Sequence, residues 1–487
     1  MSGGIWKMDE YEYHDDDDES SYDDDDDDVQ PASPAAQYMN SKVLSLCIIA
    51  VLETKVALHL HEPDLLSTIK DVFLPICPRF SSIMVSEENG EKKWKRVQVN
   101  VADHLHFPTY PSGREPEYYD ERLSEYLTKI SMDPFPQTRP LWEIHIFGYP
   151  TSDAPGSFIF KLHHSLGDGY SLIGALLSLL KRVDNPALPM TLPRRVSSQP
   201  ARGRGMNFLR AIPRLLTGVA HTVADFTWSF MKSSWVDDDR TAVHSGDEGV
   251  ELRPIAVTTV SISLQHLRQI KTNLKVTIND VITGIVTYGT RLYMQEMERE
   301  TCNGRCTSLV LFNTRAIGGY KTVAEMIKPN AEMPWGNRFT FLPLAIPKLP
   351  PAAAAADPLR FVFEAHRVVR RQMYSASVYL NAQLLEFSRK LRGPEATAKM
   401  IRGILKNTSI TMSNMIGPVE EATFLNHPLK GIYVFVAGAP QSLTVEMVSY
   451  VDIMRLSIVG EKDFIDGKRL KSCILSAFHQ IYTLGVN

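Results

Sequence analysis

The chain has 487 residues, 44% of them hydrophobic: more than one compact core holds, and enough for two domains with a large buried interior. Its net charge of −4 is unevenly spread, because residues 1–30 hold 14 Asp or Glu against Lys7 alone, so this tail carries −13 and the remaining 457 residues +9. The acidic start argues against a secretory signal, which opens basic and then apolar, and five cysteines, few and odd in number, argue against a disulfide framework and for free thiols.

The tail, with Asp15–Asp18 and Asp23–Asp28, is expected to be disordered and self-repelling. Val43–Leu52 is an apolar run of ten. A bilayer needs about 20 such residues, so the run reads as a buried strand. A helix over Pro63–Leu74 follows, then a hairpin near Asn89-Gly90 with a strand over Trp94–Val101. Glu121–Ile130 has helical character. Trp142–Phe147 and Phe158–His164 read as strands, and Tyr170–Val183 as a strongly apolar helix.

Between the last two elements stands His163-His-Ser-Leu-Gly-Asp-Gly169. It places two imidazoles at a strand end beside a tight turn. Alternation along a strand puts Phe158, Phe160, Leu162 and His164 on one face and Ile159, Lys161 and His163 on the other, so if the strand runs through both histidines they do not easily do the same job. An imidazole so placed can take a proton from a hydroxyl or thiol near neutral pH. Asp168 either caps the following helix or holds the turn through an ion pair. A metal site is disfavoured, because neighbours on a strand diverge and no Cys or third His lies close in sequence.

Residues 184–205, rich in Pro, Ser, Arg and Gly, read as a linker. The segment 206–235 is apolar and aromatic, with Arg202, Arg204, Arg210 and Arg214 at its leading end. Pro213, Arg214 and Asp225 count against a spanning helix. An amphipathic helix lying in a membrane surface, with Trp228 and Trp235 at the interface, fits better, and a crossover helix packed on the body is the third reading. From Pro254 onward, strands are expected at Ala256–Ile262, Leu309–Asn313, Phe339–Ile346, Ser409–Asn414, Ile432–Ala437, Thr444–Tyr450 and Arg455–Val459. Helices are expected at Leu264–Thr272, Thr277–Met297 (opening at Asn279-Asp280), Leu359–Tyr374 and from about Gly467 to Leu484. Strands mixed with helices in both halves imply an α/β protein of mixed sheets. The divisions are a tail at 1–30, a first subdomain at 31–184, a linker at 185–253 and a second subdomain at 254–487. The sequence offers no glycine-rich phosphate loop, no metal-ligand array and no nucleic-acid patch.

His163–Gly169 resembles the HHxxxDG signature of the wax ester synthase/diacylglycerol acyltransferase family. Further elements resemble that family in its order: Pro31–Ala36 its PLSP segment (with Ala32 departing), Pro140-Leu141-Trp142 its PLW, Thr277–Val281 its TxNDV, Gly336-Asn337 its GN, and Ser413-Asn414 with Gly417-Pro418 its SNxxGP. Glu461–Asp466 with the following KSC looks like the plant branch, and the likeness covers roughly residues 30–487. The resemblance implies two subdomains similar to CoA-dependent acyltransferases, chloramphenicol acetyltransferase and condensation domains among them, around a central tunnel. It also implies acyl-CoA as a substrate, with no cofactor and no metal. A long-chain alcohol or diacylglycerol is the acceptor, and the place is the cytosolic side of the endoplasmic reticulum membrane or the cell membrane.

In this reading His164 is the general base, His163 supports it and Asp168 organises the turn. Gly169, Trp142, Asn279, Asp280 and Asn414 are candidate substrate contacts, and Asn279 or Asn414 a candidate oxyanion donor. Each has an ordinary reading: helix start for Asn279 and Asp280, strand end for Asn414, packing at the junction for Trp142. Two alternatives stay open, an acyltransferase for small or phenolic alcohols and an inactive lipid-surface adaptor. The first shares HxxxD, but its DFGWG motif is absent; Met333-Pro-Trp-Gly336 is no match.

Overall fold

The structure, a computed structural model, describes residues 29–59, 62–87, 90–191, 236–298, 300–313, 335–350, 357–373 and 393–486. Two large mixed sheets carry it. The first has seven strands in the order Leu105–His106, Trp142–Phe147, Ser157–His163, Cys47–Thr54, His427–Ala437, Ala422–Phe424 and Lys181–Arg182. The second has six, in the order Phe339–Ala345, Thr307–Asn313, Ile410–Met415, Leu443–Tyr450, Ile453–Glu461 and Ile255–Ser263. A three-stranded sheet joins Val29–Pro31 and Ser82–Ser86 to the two sides of Lys92–Arg96.

Cys47–Thr54 is buried along its whole length, which is why Cys47–Leu52 reads as an apolar run rather than an alternation. One face of its sheet lies under the helix Gly169–Leu179, which shares a cavity lining with Ile48, Ala50, Phe160 and Leu162. On the other face Tyr126 reaches His145 at 2.7 Å and Lys161 reaches the Asp133 carbonyl at 2.8 Å, which sets the helix Pro116–Met132 there. Trp142 is fully buried in this core, donating from Nε1 to the Phe80 carbonyl at 2.8 Å and stacking on His104 at 4.0 Å between ring centroids.

In the second sheet the alternation divides two environments. Val445, Met447, Leu456 and Ile458 pack with the helices Leu264–Leu274, Ile278–Met297 and Gly467–Val486. Val448 and Val459, on the opposite face, pack into the core of the first sheet. The two sheets therefore meet along a seam.

Several boundaries differ from the sequence reading. Val29 and Gln30, assigned to the tail, pair with Lys95 and Trp94. The second subdomain does not keep all of 254–487, since the strands Ala422–Phe424 and His427–Ala437 cross over to the first sheet. Nor does it start at Pro254: Asp238 accepts from the amides of Thr307 at 2.6 Å and Ser409 at 3.0 Å, pinning the end of the linker to the second sheet. The helix predicted over Pro63–Leu74 is present but not uniform: a π-helical segment at Thr68–Phe73 stands between the α-helical Glu62–Ser67 and Leu74–Ile76. The helix expected over Thr277–Met297 runs over Ile278–Met297 with Thr277 as its cap, the Thr277 hydroxyl and the Asp280 carboxylate forming a reciprocal capping box, so its first residue lies one before Asn279. The segment 206–235 and residues 1–28 lie outside the described residues. Among the described residues no helix is long and apolar enough to cross a membrane.

Candidate active site

His164 follows the last residue of the strand Ser157–His163, and its amide still donates to the Leu46 carbonyl at 2.9 Å. Its ring is held from the other lobe. Nδ1 lies 2.9 Å from the Asn337 side-chain oxygen Oδ1, and Asn337 Nδ2 donates to the His164 main-chain carbonyl at 2.9 Å. An amide oxygen only accepts, so Nδ1 carries the proton and the Nε2 lone pair is left for chemistry. The Phe339 ring stands 5.7 Å away. Burial lowers the pKa of His164, while its main chain, Asp168 and Asn337 draw it partly back, so the ring is neutral near pH 7.

His163 faces the other way. Its Nδ1 accepts from the Ser165 amide at 3.1 Å and lies 2.7 Å from the Ser165 hydroxyl, and its Nε2 meets the Ser45 hydroxyl at 3.1 Å. Both nitrogens are engaged. Burial first, then the neighbouring His164, Lys92 and Lys161, push its pKa down to about 3.

Asp168 ties the turn together. One carboxylate oxygen accepts from the Ser171 amide at 3.0 Å, capping the helix Gly169–Leu179, and the other accepts from the Arg338 amide at 2.9 Å. The second bond fixes the residue next to Asn337, so one carboxylate sets both the motif turn and the group that orients His164. The same loop is anchored where Trp335 Nε1 donates to the Leu166 carbonyl at 2.8 Å and the Ser171 hydroxyl meets both main-chain groups of Gly336 at 3.2 Å. Gly336 has φ +121°, a backbone conformation that side chains other than hydrogen resist.

A narrow apolar cavity lies beside the motif, lined by Phe160, Leu162, Gly169, Leu172, Met415 and Val448 among others. Leu162, on the face predicted to be shared with His164, and Gly169 both line it; the His164 ring itself does not. Met415 from the second sheet presses against Gly169, where any Cβ would collide with its sulfur.

The remaining candidates divide. Asn414 and Asn279 come together, the first donating to the second at 3.2 Å, and the Asn414 carbonyl oxygen is buried with no partner. Asp280 is taken up by the capping box and by His366 at 2.8 Å. Trp142 is core packing and does not line the cavity. Asn337 stood in the GN element without a role; nothing in its spacing shows that it reaches across 173 positions to an imidazole. One group of metal-ligand type, His106, Glu143 and His145, lies within 4.8 Å. Arg139 at 2.7 Å and Lys161 at 3.3 Å already neutralise that carboxylate, a poor setting for a cation.

Two mixed sheets facing each other across a seam, with a histidine motif at the end of one strand, make this a two-lobed acyltransferase fold of the condensation-domain type. The first condensation domain of the calcium-dependent antibiotic synthetase superposes with a TM-score of 0.54 at 13% identity, over 93% of this chain and 92% of that one. The wax ester synthase/diacylglycerol acyltransferase from Marinobacter aquaeolei VT8 superposes with 0.56 at 13% identity, over 94% and 100%. In sequence, the wax ester synthase/diacylglycerol acyltransferase catalytic domain matches residues 53–282 and the C-terminal domain of the same family matches 335–482. The chain belongs to this family of acyltransferases. Wax ester synthase/diacylglycerol acyltransferase 11 of Arabidopsis thaliana is 28% identical over 90% of this chain and 91% of its own length, and number 4 of the same plant 29% identical over 90% and 86%.

Proposed function

We propose that the protein transfers a long-chain fatty acyl group from CoA to the hydroxyl of a long-chain alcohol, forming a wax ester, with diacylglycerol as a second acceptor, at the cytosolic face of the endoplasmic reticulum membrane. The observation that carries the mechanism is the His164–Asn337 pair, which leaves a neutral ring with Nε2 as its basic atom. In the reaction, Nε2 takes the hydroxyl proton as the alcohol oxygen attacks the thioester carbonyl. The tetrahedral oxyanion collapses, the C–S bond breaks, and the CoA thiolate leaves with the proton returned from Nε2. Asn279 or Asn414 is the proposed donor to the oxyanion. The apolar cavity beside Gly169 suits the acyl chain, since each buried CH₂ contributes about 0.8 kcal/mol. The +9 body suits CoA phosphates and anionic lipid surfaces.

Purified protein incubated with labelled palmitoyl-CoA and either hexadecanol or diacylglycerol tests this. Ester is expected from hexadecanol at the higher rate, and His164→Ala is expected to lower kcat by roughly 10²–10⁴-fold. Absence of both esters, or unchanged output from His164→Ala, overturns the reading.

A further inference from the structure

A buried polar station interrupts the seam between the sheets. On the strand Leu443–Tyr450, Val448 lines the apolar cavity beside the histidine motif, and Thr444 lines a second, polar cavity with Gln441, Glu251, Arg253 and Glu461. Glu446 stands between them on the same face. It is 2% exposed, and its Oε2 makes no well-formed hydrogen bond among the described residues. Its cross-strand neighbours are Ser457 and Ser413. The hydroxyls of Ser457 and Thr444 are also buried and make no well-formed hydrogen bond among the described residues, that of Thr444 lying near the Glu446 carboxyl. Three buried polar atoms without well-formed hydrogen bonds on adjacent positions of one sheet face are uncommon, because a polar group left unsatisfied away from water is destabilising. Both cavities also border one strand of the first sheet, Ile432 and Val434 lining the apolar one and Val436 the polar one.

Resting on the proposed acyl transfer, we infer that the two cavities are halves of one substrate passage and that Glu446, with Thr444 and Ser457, binds an amide or ester carbonyl of the substrate at its waist. Burial holds the Glu446 carboxyl up at about 8, while the Thr444 hydroxyl and the main chain of Glu446 and Val436 lie close enough to pull it partly back. Near neutral pH it is therefore an acid that donates a hydrogen bond, the form a carbonyl accepts. Val436 lies two strands from Leu162 by register, and Leu162 precedes His164 on its face. Those spacings put the main chain of Val436 roughly 12 Å from that of His164. That is too far for proton transfer and within reach of a second polar group on a substrate whose reacting atom sits at His164. Two substrate arms carry such a carbonyl: the pantetheine amides of the thioester and the glyceryl ester of diacylglycerol. Hexadecanol carries none.

The test compares full-length Glu446→Leu, Glu446→Gln and Ser457→Ala with the wild type. KM is measured for palmitoyl-CoA, for the palmitoyl thioester of N-acetylcysteamine (which keeps only the inner amide) and for diacylglycerol and hexadecanol. If the station grips pantetheine, Glu446→Leu raises KM for palmitoyl-CoA by about tenfold with either acceptor, and the short thioester is less affected. If it grips the glyceryl ester, KM for diacylglycerol rises by a similar factor and that for hexadecanol stays unchanged. In either case Glu446→Gln, which keeps a donor, stays within about threefold of wild type, and Ser457→Ala reproduces a smaller rise even where Glu446→Leu does not fold. Unchanged KM values for every substrate in Ser457→Ala and in a folded Glu446→Leu overturn the inference and leave acyl transfer standing. A wild type that forms no ester overturns the acyl-transfer reading itself.

Discussion

The proton on Nδ1 of His164 is committed to a neutral amide, where a carboxylate would have raised the ring's affinity for a second proton. Burial, the largest influence on this ring, lowers its pKa, so the acid limb of kcat/KM is expected below the ordinary histidine value of about 6.5. Asn337→Asp places a carboxylate at Nδ1 and should move that limb to higher pH; Asn337→Ala should leave the limb low while kcat falls, because the tautomer is no longer held. A pH–rate series on the three proteins decides, and an unmoved limb in Asn337→Asp would show that the amide does not face the working base. The melting temperature should be followed in parallel. An unfolded chain protonates His163 near 6.5 and the folded chain only near 3, so stability is unaffected above pH 6.5 and is lost as the pH falls through that window, by up to about 1.4 kcal/mol per pH unit. At this scale strand alternation pointed to opposite faces for the two imidazoles if the strand ran through both; it ends at His163, and the two rings find different partners. The sequence could not show that Ser45 and Ser165 consume His163 or that Asn337 holds His164, because those partners arrive through folding.

At the scale of elements, the helix Gly169–Leu179 does two things. Its capped start fixes the motif turn, and its apolar side closes the cavity over Phe160 and Leu162. Gly169 is where those roles meet, with Met415 of the second sheet pressed against it. Gly169→Val should therefore narrow the passage, cutting activity on palmitoyl-CoA by tenfold or more while a short acyl-CoA is less affected; adding Met415→Ala should restore part of the long-chain activity. Equal losses for both chain lengths, with no recovery in the double variant, would show that this cavity does not hold the chain. Most strands and long helices were legible from periodicity, down to Trp142–Phe147 without error. The misses have local causes. Ala422–Phe424 has three residues, too few for a pattern, and the π-turn at Thr68–Phe73 keeps the apolar spacing of an ordinary helix closely enough to pass for one.

At the scale of the whole molecule, the lobes are not separable. The chain returns from the second sheet to place His427–Ala437 beside Cys47–Thr54, and Arg455 of the second sheet reaches Glu53 of the first at 2.6 Å, a buried ion pair across the seam. A cut near residue 254 would remove two strands from the first sheet, so neither half is expected to fold alone. The segment 206–235 joins the lobes in sequence and lies outside the described residues; from its Trp, Phe and Arg content we propose that it binds a membrane surface. Deleting it should release the protein from microsomal membranes in a flotation assay while leaving measurable transfer to a short, water-soluble alcohol; continued flotation of the deletion variant would assign membrane binding to another surface.

The sequence by itself determined the chemistry and the kind of fold: a histidine at a strand end before a capped helix, mixed strands and helices in two halves, and a motif order that marks the acyltransferase family. These are local properties, set by the alternation of side chains, by turn residues and by capping, and they are written within a few residues of one another. The tertiary structure alone decided which lobe owns which strand, which amide orients His164, and that the acid at position 446 is buried in the seam. Such facts depend on contacts between residues tens to hundreds of positions apart, and the free energy of those contacts exists only once both sheets have formed and closed on each other.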